Sequence, residues 1–429
     1  MVENFVVPLL KQKIDFQVQI PGSKSITNRA LLLAALSQER ICLDNVLFSD
    51  DSRHFLQCLQ DLGFFLEIDE PARRVSVIGT GGRIPRAKAE INVGSAGTAA
   101  RFLTAFLAAC GGEYKILASP QMMSRPMKPL LEALISLGVE FEFLQQEWCL
   151  PFAIKSSGLV GGKVKINAER SSQFLSALLM VGAMAKEGLI IEVSGDLPAK
   201  PYVEMTLQMM QDFGVEAQNE AYQSFKVPVG DYSAPMEYLI EPDLSNANYF
   251  LALATLTGST VFIPGVRIDS LQGDLGFLKI LRQMGSELVF DEQGVFLKGS
   301  GNGVFPGVDA DLSGMPDQTM TLAALAPFAT SPTTIRNIGV IKYHESNRFQ
   351  AIITELTKLG IRVEAEDDNL IIYPGMPKPG LIETYDDHRI AMAFALLGLR
   401  APGIMIANPD CTKKTFENYF ELFQEVVQG

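Results

Sequence analysis

Polar starts and long apolar runs alternate along this chain with a regular period. Six segments open on a Ser, an Asp or a Pro-Asp pair and pass into Ala/Leu-rich sequence of helical spacing. They are SITNRALLLAAL from Ser25, SAGTAARFLTAFLAA from Ser95, SSQFLSALLMVGAMA from Ser171, DLSNANYFLALATL from Asp243, PDQTMTLAALAPFA from Pro316 and DDHRIAMAFALLGL from Asp386. Successive starts are 70, 76, 72, 73 and 70 residues apart. Bodies that are apolar on every side predict buried helices. Their polar N-termini carry free backbone N–H groups and the positive end of the helix dipole. Three such helices per domain, aimed one way, would form an anion site between the domains.

A second helical series keeps step with the first: LQCLQDLG, LLEALISLG, LQMMQDFG, LKILRQMG, ITELTKLG and YFELFQEVVQG, ending at Gly63, Gly138, Gly214, Gly285, Gly360 and Gly429. A Gly just beyond the last turn predicts a left-handed C-terminal cap. After the first five glycines come β-favouring stretches such as VEFEF, SELVF and IRVEAE. Chance spacing would not hold two series in register over the whole chain, so the pattern predicts six units of two helices and several strands, three per domain. The sixth unit lacks a following strand, and the strand-like pieces FVVPLL and FQVQI precede the first. The N-terminal stretch is therefore expected to complete the last unit. That gives a first domain over 21–238 and a second over 1–20 plus 239–429, with crossings near Pro21 and residues 236–241.

The length suits two domains with ample cores. An excess of Asp and Glu over Lys and Arg leaves a net charge of −13, which disfavours nucleic acid as a partner. Anions must then be bound by a local basic cluster. Cys42, Cys58, Cys110, Cys149 and Cys411 are scattered, odd in number and without a Cys-x-x-Cys pair, which favours a reducing compartment over a disulfide scaffold or a zinc site. His54, His344 and His388 are too dispersed to point to a metal centre. No apolar run reaches the roughly 18 residues of a membrane span. With acidic Glu3 and no basic start ahead of an apolar block, no leader is expected, and the chain is expected in the cytoplasm, as a monomer.

Charged and polar residues concentrate at the helix starts. In PGSKSITNR, Gly22 permits a tight turn, Ser25 is placed to cap, Lys24 sits at the helix mouth and Arg29 lies one turn on, while Walker-loop spacing is absent. In GSAGTAAR, Gly97 and its small neighbours allow close approach to the backbone, and Arg101 lies near a helix start, where the dipole disfavours a cation unless an anion is present. Arg125, the Ser171-Ser172-Gln173 run and the Lys200-Pro201-Tyr202 run offer donors for a polyhydroxy ring or a phosphate, although hydroxyls at helix starts more often serve as caps. In the second half, Asp317 opens an apolar helix, Glu345 and Arg348 are three apart as on one helix face, and Asp387-His388-Arg389 opens another helix. Lys414 follows near the end. Two carboxylates among Lys24, Arg29, Arg101, Arg125, Arg348, Arg389 and Lys414 suit acid–base chemistry on anionic substrates.

These motifs, in order from Pro21 to Phe420 and including SRPMKPL, KPYVEMT, HESNRF and CTKKTFENYF, resemble those of the EPSP synthase family, the 3-phosphoshikimate 1-carboxyvinyltransferases. The resemblance implies a two-domain inside-out α/β barrel with three repeated βαβαββ-type units per domain. It implies transfer of the enolpyruvyl group of phosphoenolpyruvate to the 5-hydroxyl of shikimate 3-phosphate, with no metal or organic cofactor. By the same resemblance Lys24, Gly97, Arg125, Gln173, Arg348, Arg389 and Lys414 line the phosphoenolpyruvate side. Lys24, Ser25, Arg29, Ser171, Ser172, Gln173, Tyr202, Asp317 and His344 line the shikimate 3-phosphate side. Asp317 is the implied base at the 5-hydroxyl, Glu345 the proton donor and acceptor at the methylene carbon, and Lys24 a second acid–base group. Four positions depart from the family pattern: Ala199 replaces a Ser, His344 a Lys, Asn347 an Asp and Phe102 a Pro. Two alternatives stand beside this reading: a UDP-N-acetylglucosamine enolpyruvyl transferase, disfavoured by the absence of Cys from QMMSRPMKPL, and a non-catalytic sugar-phosphate-binding paralogue.

Overall fold

In a computed structural model of the chain, residues 4–233 and 235–428 are described. Two compact units emerge, Gly22–Ile240 and Met1–Pro21 with Glu241–Gly429. Gly429, the sixth expected cap, lies outside the described residues, as does Glu3.

The unit Gly22–Ile240 contains three four-stranded sheets of one design. In each, two parallel strands are extended by two antiparallel ones. One sheet runs Glu237–Leu239, Arg40–Asp44, Arg74–Ile78, Leu66–Asp69; the second Lys88–Asn92, Gly112–Leu117, Phe152–Ser156, Glu140–Phe143; the third Gly162–Asn167, Leu189–Ser194, Ser224–Val227, Gln218–Glu220. Three helices form the core: Lys24–Leu36, Gly97–Cys110 and Ser172–Gly182. Nearly every residue of each is buried, as apolar surface on all sides requires. The Gly97–Cys110 helix packs on both of the others. Outer helices Asp50–Asp61, Lys128–Ser136 and Lys200–Asp212 complete the unit.

The other unit repeats the design in two four-stranded sheets and a three-stranded sixth, around buried helices Leu244–Thr257, Thr319–Leu325 and His388–Gly398, which pack on one another. Its N-terminal segment does two jobs where one was expected. Phe5–Val6 pairs antiparallel with Ile404–Ile406 and so completes the sixth sheet. Asp15–Gln17, the FQVQI piece, pairs instead with Thr260–Pro264 in the fourth sheet. Val7, Val18 and Ile20 sink into this unit's core, so burial holds the segment in place. The mirror exchange occurs at Glu237–Leu239, which lies just before the fourth unit in sequence but pairs with Arg40–Asp44 of the first. Gly22 marks the crossing: a Cβ there would lie 1.8 Å from the Asn45 carbonyl oxygen, so only glycine fits.

Gly63, Gly138, Gly214, Gly285 and Gly360 all have φ between 82° and 92°, the left-handed caps their spacing predicted. Several helix starts differ from the sequence reading. The first helix begins at Lys24 with Ser23 as its N-cap residue, so Ser25 lies inside it. The second begins at Gly97, the sixth is capped by Asp387 and not Asp386, and Pro316–Gln318 forms a 3-10 turn ahead of the Thr319 helix. Each shift is one to three residues, the range over which polar residues compete for a cap. Among the described residues, no helix is long and apolar enough to cross a membrane.

Candidate active site

In the unit Gly22–Ile240, the predicted residues gather at the N-termini of the buried helices. Lys24 opens the first, with Nζ 3.5 Å from Oδ2 of Asp51, a carboxylate buried near the start of the Asp50–Asp61 helix. Arg29 does not emerge beside Lys24. The residue is 2% exposed, and its guanidinium donates to Thr206 Oγ1 (2.8 Å), the Ser25 carbonyl (3.0 Å), Ser176 Oγ (3.3 Å) and the Tyr202 carbonyl (3.1 Å). Phe102 lies beneath it, the ring centroid 5.2 Å from Cζ. Burial pulls the Arg29 guanidinium down to about 10. Four of its five N–H groups thus tie three helices together, and only the fifth could serve a ligand.

Gly97, Arg101, Arg125 and Gln173 form one cluster. Arg101 Nη1 donates to the Gly97 carbonyl and to Gln173 Oε1, both at 3.0 Å. A Cβ on Gly97 would stand 2.5 Å from Arg101 Nη1 and 2.7 Å from Arg125 Nη1. The missing side chain is what lets the two guanidiniums approach the helix start. Ser171 caps its helix by accepting from the Gln173 backbone N–H at 3.2 Å, and Ser172 is buried beside it. Tyr202 stands in the first turn of the Lys200–Asp212 helix, behind Ala199, whose φ of 54° is left-handed.

In the second unit, Arg348 is the hub. Its side chain is 1% exposed, and all five of its N–H groups have acceptors. Nε donates to Asp387 Oδ2 (2.8 Å), Nη1 to Asp317 Oδ1 (2.8 Å) and His344 Nδ1 (2.9 Å), and Nη2 to Glu345 Oε2 (2.8 Å) and Asp387 Oδ1 (3.1 Å). The implied phosphoenolpyruvate ligand is here the scaffold of the acid–base residues. Glu345 reaches it from the bend before the helix Arg348–Lys358, not along a shared helix face. An arginine only donates, so His344 Nδ1 is an acceptor and its neutral ring carries the proton on Nε2. Asn347 caps the Arg348 helix by accepting from the Gln350 N–H at 3.1 Å, a task Asn and Asp perform alike.

Asp317 is also held by Arg389, Nη2 to Oδ2 at 2.8 Å. Burial alone would raise its carboxyl, but the cations Arg389 and Arg348 overcome this and hold it well below the usual carboxylate range. For Arg348 the balance is the mirror image: burial would lower it, and Asp387, Glu345 and Asp317 hold it high. Tyr249 Oη lies 3.4 Å from Arg389 Nη1. Lys414 is buried at the end of the 3-10 helix Pro409–Lys414.

Sequence reasoning had Asp387 only as the opening of a helix and missed Ser346; in the structure Asp387 accepts from the Arg389 backbone N–H (3.0 Å) while gripping Arg348, and Ser346 donates from Oγ to Asp387 Oδ2 at 2.9 Å. It also missed Asp51 and Tyr249. The available signal was the carboxylate preceding a cation at the start of an apolar helix.

This fold is that of the enolpyruvyl transferases. The chain superposes on EPSP synthase from Acinetobacter baumannii with a TM-score of 0.84 at 22% identity, covering 99% of this chain and 98% of that one. It superposes on the enolpyruvyl transferase NikO from Streptomyces tendae with a TM-score of 0.77 at 17% identity, covering 99% and 97%. Within that class, the profile of the family EPSP synthase (3-phosphoshikimate 1-carboxyvinyltransferase) matches residues 10–423. The chain is 42% identical over 427 residues to the 3-phosphoshikimate 1-carboxyvinyltransferase of Nostoc punctiforme, covering all of both chains. It is 41% identical to that of Shewanella loihica, covering 97% of this chain and 98% of the other. The chain belongs to the EPSP synthase family.

Proposed function

We propose that this chain transfers the enolpyruvyl group of phosphoenolpyruvate to the 5-hydroxyl of shikimate 3-phosphate and releases phosphate, as a cytoplasmic monomer in aromatic amino-acid biosynthesis. The observation that carries this reading is the pair of carboxylates, Asp317 and Glu345, fixed on the one guanidinium of Arg348 beside Arg389. Full-length likeness to named 3-phosphoshikimate 1-carboxyvinyltransferases supports the shikimate acceptor over a UDP-sugar. A protein that only bound ligands would have no use for two carboxylates held in this way.

The chemistry is addition followed by elimination. Glu345 gives a proton to the methylene carbon while the 5-oxygen bonds to the adjacent carbon and Asp317 takes the hydroxyl proton. In the second step Glu345 removes a methyl proton as the C–O bond to phosphate breaks, and the proton that Asp317 took passes to the departing phosphate, which returns both carboxyl groups to their starting states. Lys24 is a second acid–base group. Lys24, Arg125, Arg389 and Lys414 stabilise the leaving phosphate, and Gly97 and Gln173 complete the phosphoenolpyruvate set. Arg348 joins that set only by exchanging one of its present bonds. Ser25, Arg29, Ser171, Ser172, Tyr202 and His344 serve shikimate 3-phosphate, His344 through its Nε2–H. Asp317 is a weak base while Arg389 grips it. Binding of an anion by Arg389 draws that charge away and raises the basicity of Asp317 when the substrate hydroxyl arrives.

Phosphate release on mixing both substrates tests the reading. Wild type is expected to release phosphate and Glu345→Gln to lose nearly all of it. No release by wild type would remove the proposal, and equal release by both would remove Glu345 from the chemistry. Gly97→Ala tests the donor side. Alanine suits a helix start, so the melting temperature should stay within the wild-type range, while the methyl displaces the two guanidiniums and raises KM for phosphoenolpyruvate by about tenfold. An unchanged KM would place the ligand away from Gly97.

A further inference from the structure

One buried carboxylate has no part in the reaction as drawn. Asp274 lies in the 3-10 helix Gly273–Gly276 and is 3% exposed. Its Oδ1 accepts a hydrogen bond from Gln318 Nε2 at 2.6 Å, and its carbonyl accepts from Asn248 Nδ2 at 3.0 Å. Gln318 follows Asp317 in the same 3-10 turn, so the bond fixes the base's own backbone. Gln318 is fully buried, and among the described residues its Oε1 has no hydrogen-bond partner, so the bond to Asp274 is what anchors this amide. The charged groups acting on Asp274 are Asp317 from that turn, Arg389 from the His388–Gly398 helix and Asp243 at the cap of the Leu244–Thr257 helix. The helix that follows, Phe277–Gln283, turns Lys279 and Arg282 to solvent. Asp274 is therefore a second anion in the field of Arg389, and among the described residues no cation forms a salt bridge with it.

We propose that Asp274 is a positioning residue for the reaction: it holds the Asp317–Gln318 turn through Gln318 and, as a second anion beside Arg389, keeps Asp317 basic enough to take the hydroxyl proton. This rests on the function proposed above. Burial, with Asp317 adding and Arg389 opposing, pushes the Asp274 carboxyl up to about 6. The effect should therefore be present where Asp274 is ionised and vanish where it is neutral.

Asp274→Asn keeps an oxygen for Gln318 and removes the charge. At about pH 8, kcat for phosphate release is expected to fall roughly three- to tenfold with KM for phosphoenolpyruvate unchanged or lower, because Arg389 then pulls harder on both Asp317 and the ligand. At about pH 5, where wild type is itself mostly neutral at this position, the ratio of the two enzymes should approach one. Thermal unfolding supplies a readout that needs no substrate. The folded value lies above the ordinary 3.8, so the stability tied to the neutral form is full below 3.8 and is lost as pH rises through about 6. Asp274→Asn escapes that loss and should melt no lower than wild type at about pH 8. Equal kcat at about pH 8, a deficit of the same size at both pH values, or a variant that unfolds at the higher pH would each overturn the proposal. Wild type without phosphate release would overturn the function it rests on, and the proposal with it.

Discussion

Asp317→Asn is expected to lower kcat for phosphate release by about 10²–10⁴ while leaving KM for phosphoenolpyruvate unchanged or lower. The two halves of this result have separate causes. Loss of rate follows because an amide cannot take the 5-hydroxyl proton. Retained binding follows because Asp317 now occupies Arg389 and one arm of Arg348. Neutralising it releases positive charge towards an incoming phosphate or carboxylate. An Asn oxygen can still accept from one guanidinium, so the fold should survive. Steady-state kinetics across pH 6–9, with the variant's melting temperature as control, would decide. A kcat within about tenfold of wild type would remove Asp317 as the base.

Arg348→Met is expected to be the most destabilising single change at the site. It would leave three largely buried carboxylates, Asp317, Glu345 and Asp387, with the Arg389 guanidinium paired to Asp317. Removing one partner of a buried charge network typically costs about 3–5 kcal/mol, since the remaining charges stay desolvated. Asp387 suffers most, because both of its oxygens bond to Arg348. Arg348→Lys should recover only part of the loss, since an ammonium has three donors and four residues need one. The pH dependence has a definite sign. In wild type, Asp317 is held far below its ordinary 3.8, so its contribution is present above that value and lost as pH falls further. In Arg348→Met, Asp317 loses one of the two cations that hold it down and takes up a proton more readily. The stability deficit should then be largest near neutrality and shrink as pH falls towards 5. Denaturant unfolding at several pH values would show this. A deficit under about 1 kcal/mol at neutral pH would mean the network is not the anchor described here.

Much of this architecture was legible in the sequence because it repeats. The apolar bodies of the six helices and the five described glycines at left-handed caps are local signals that recur at a nearly fixed interval, so each copy supports the others. The anion logic at the helix starts was legible too, since the dipole disfavours Arg101 and Arg389 there unless an anion answers them. Sequence could not say which anion. For Arg389 it is in part the protein's own Asp317; for Arg348, reached across 31 and 39 residues, it is Asp317 and Asp387.

By itself, then, the chain determined its class, its repeat, the helices that are buried and the inventory of charges, because these depend on composition and spacing within about 15 residues. The tertiary structure alone decided which strand joins which sheet, so that Asp15–Gln17 and Glu237–Leu239 exchange places. It alone decided that protein acceptors take every N–H of the Arg348 guanidinium and all but one of Arg29's, while Gly97 lets Arg101 and Arg125 come close. Pairing and hydrogen-bond saturation are settled between segments distant in sequence, where burial energy chooses the partner and no local pattern records the choice.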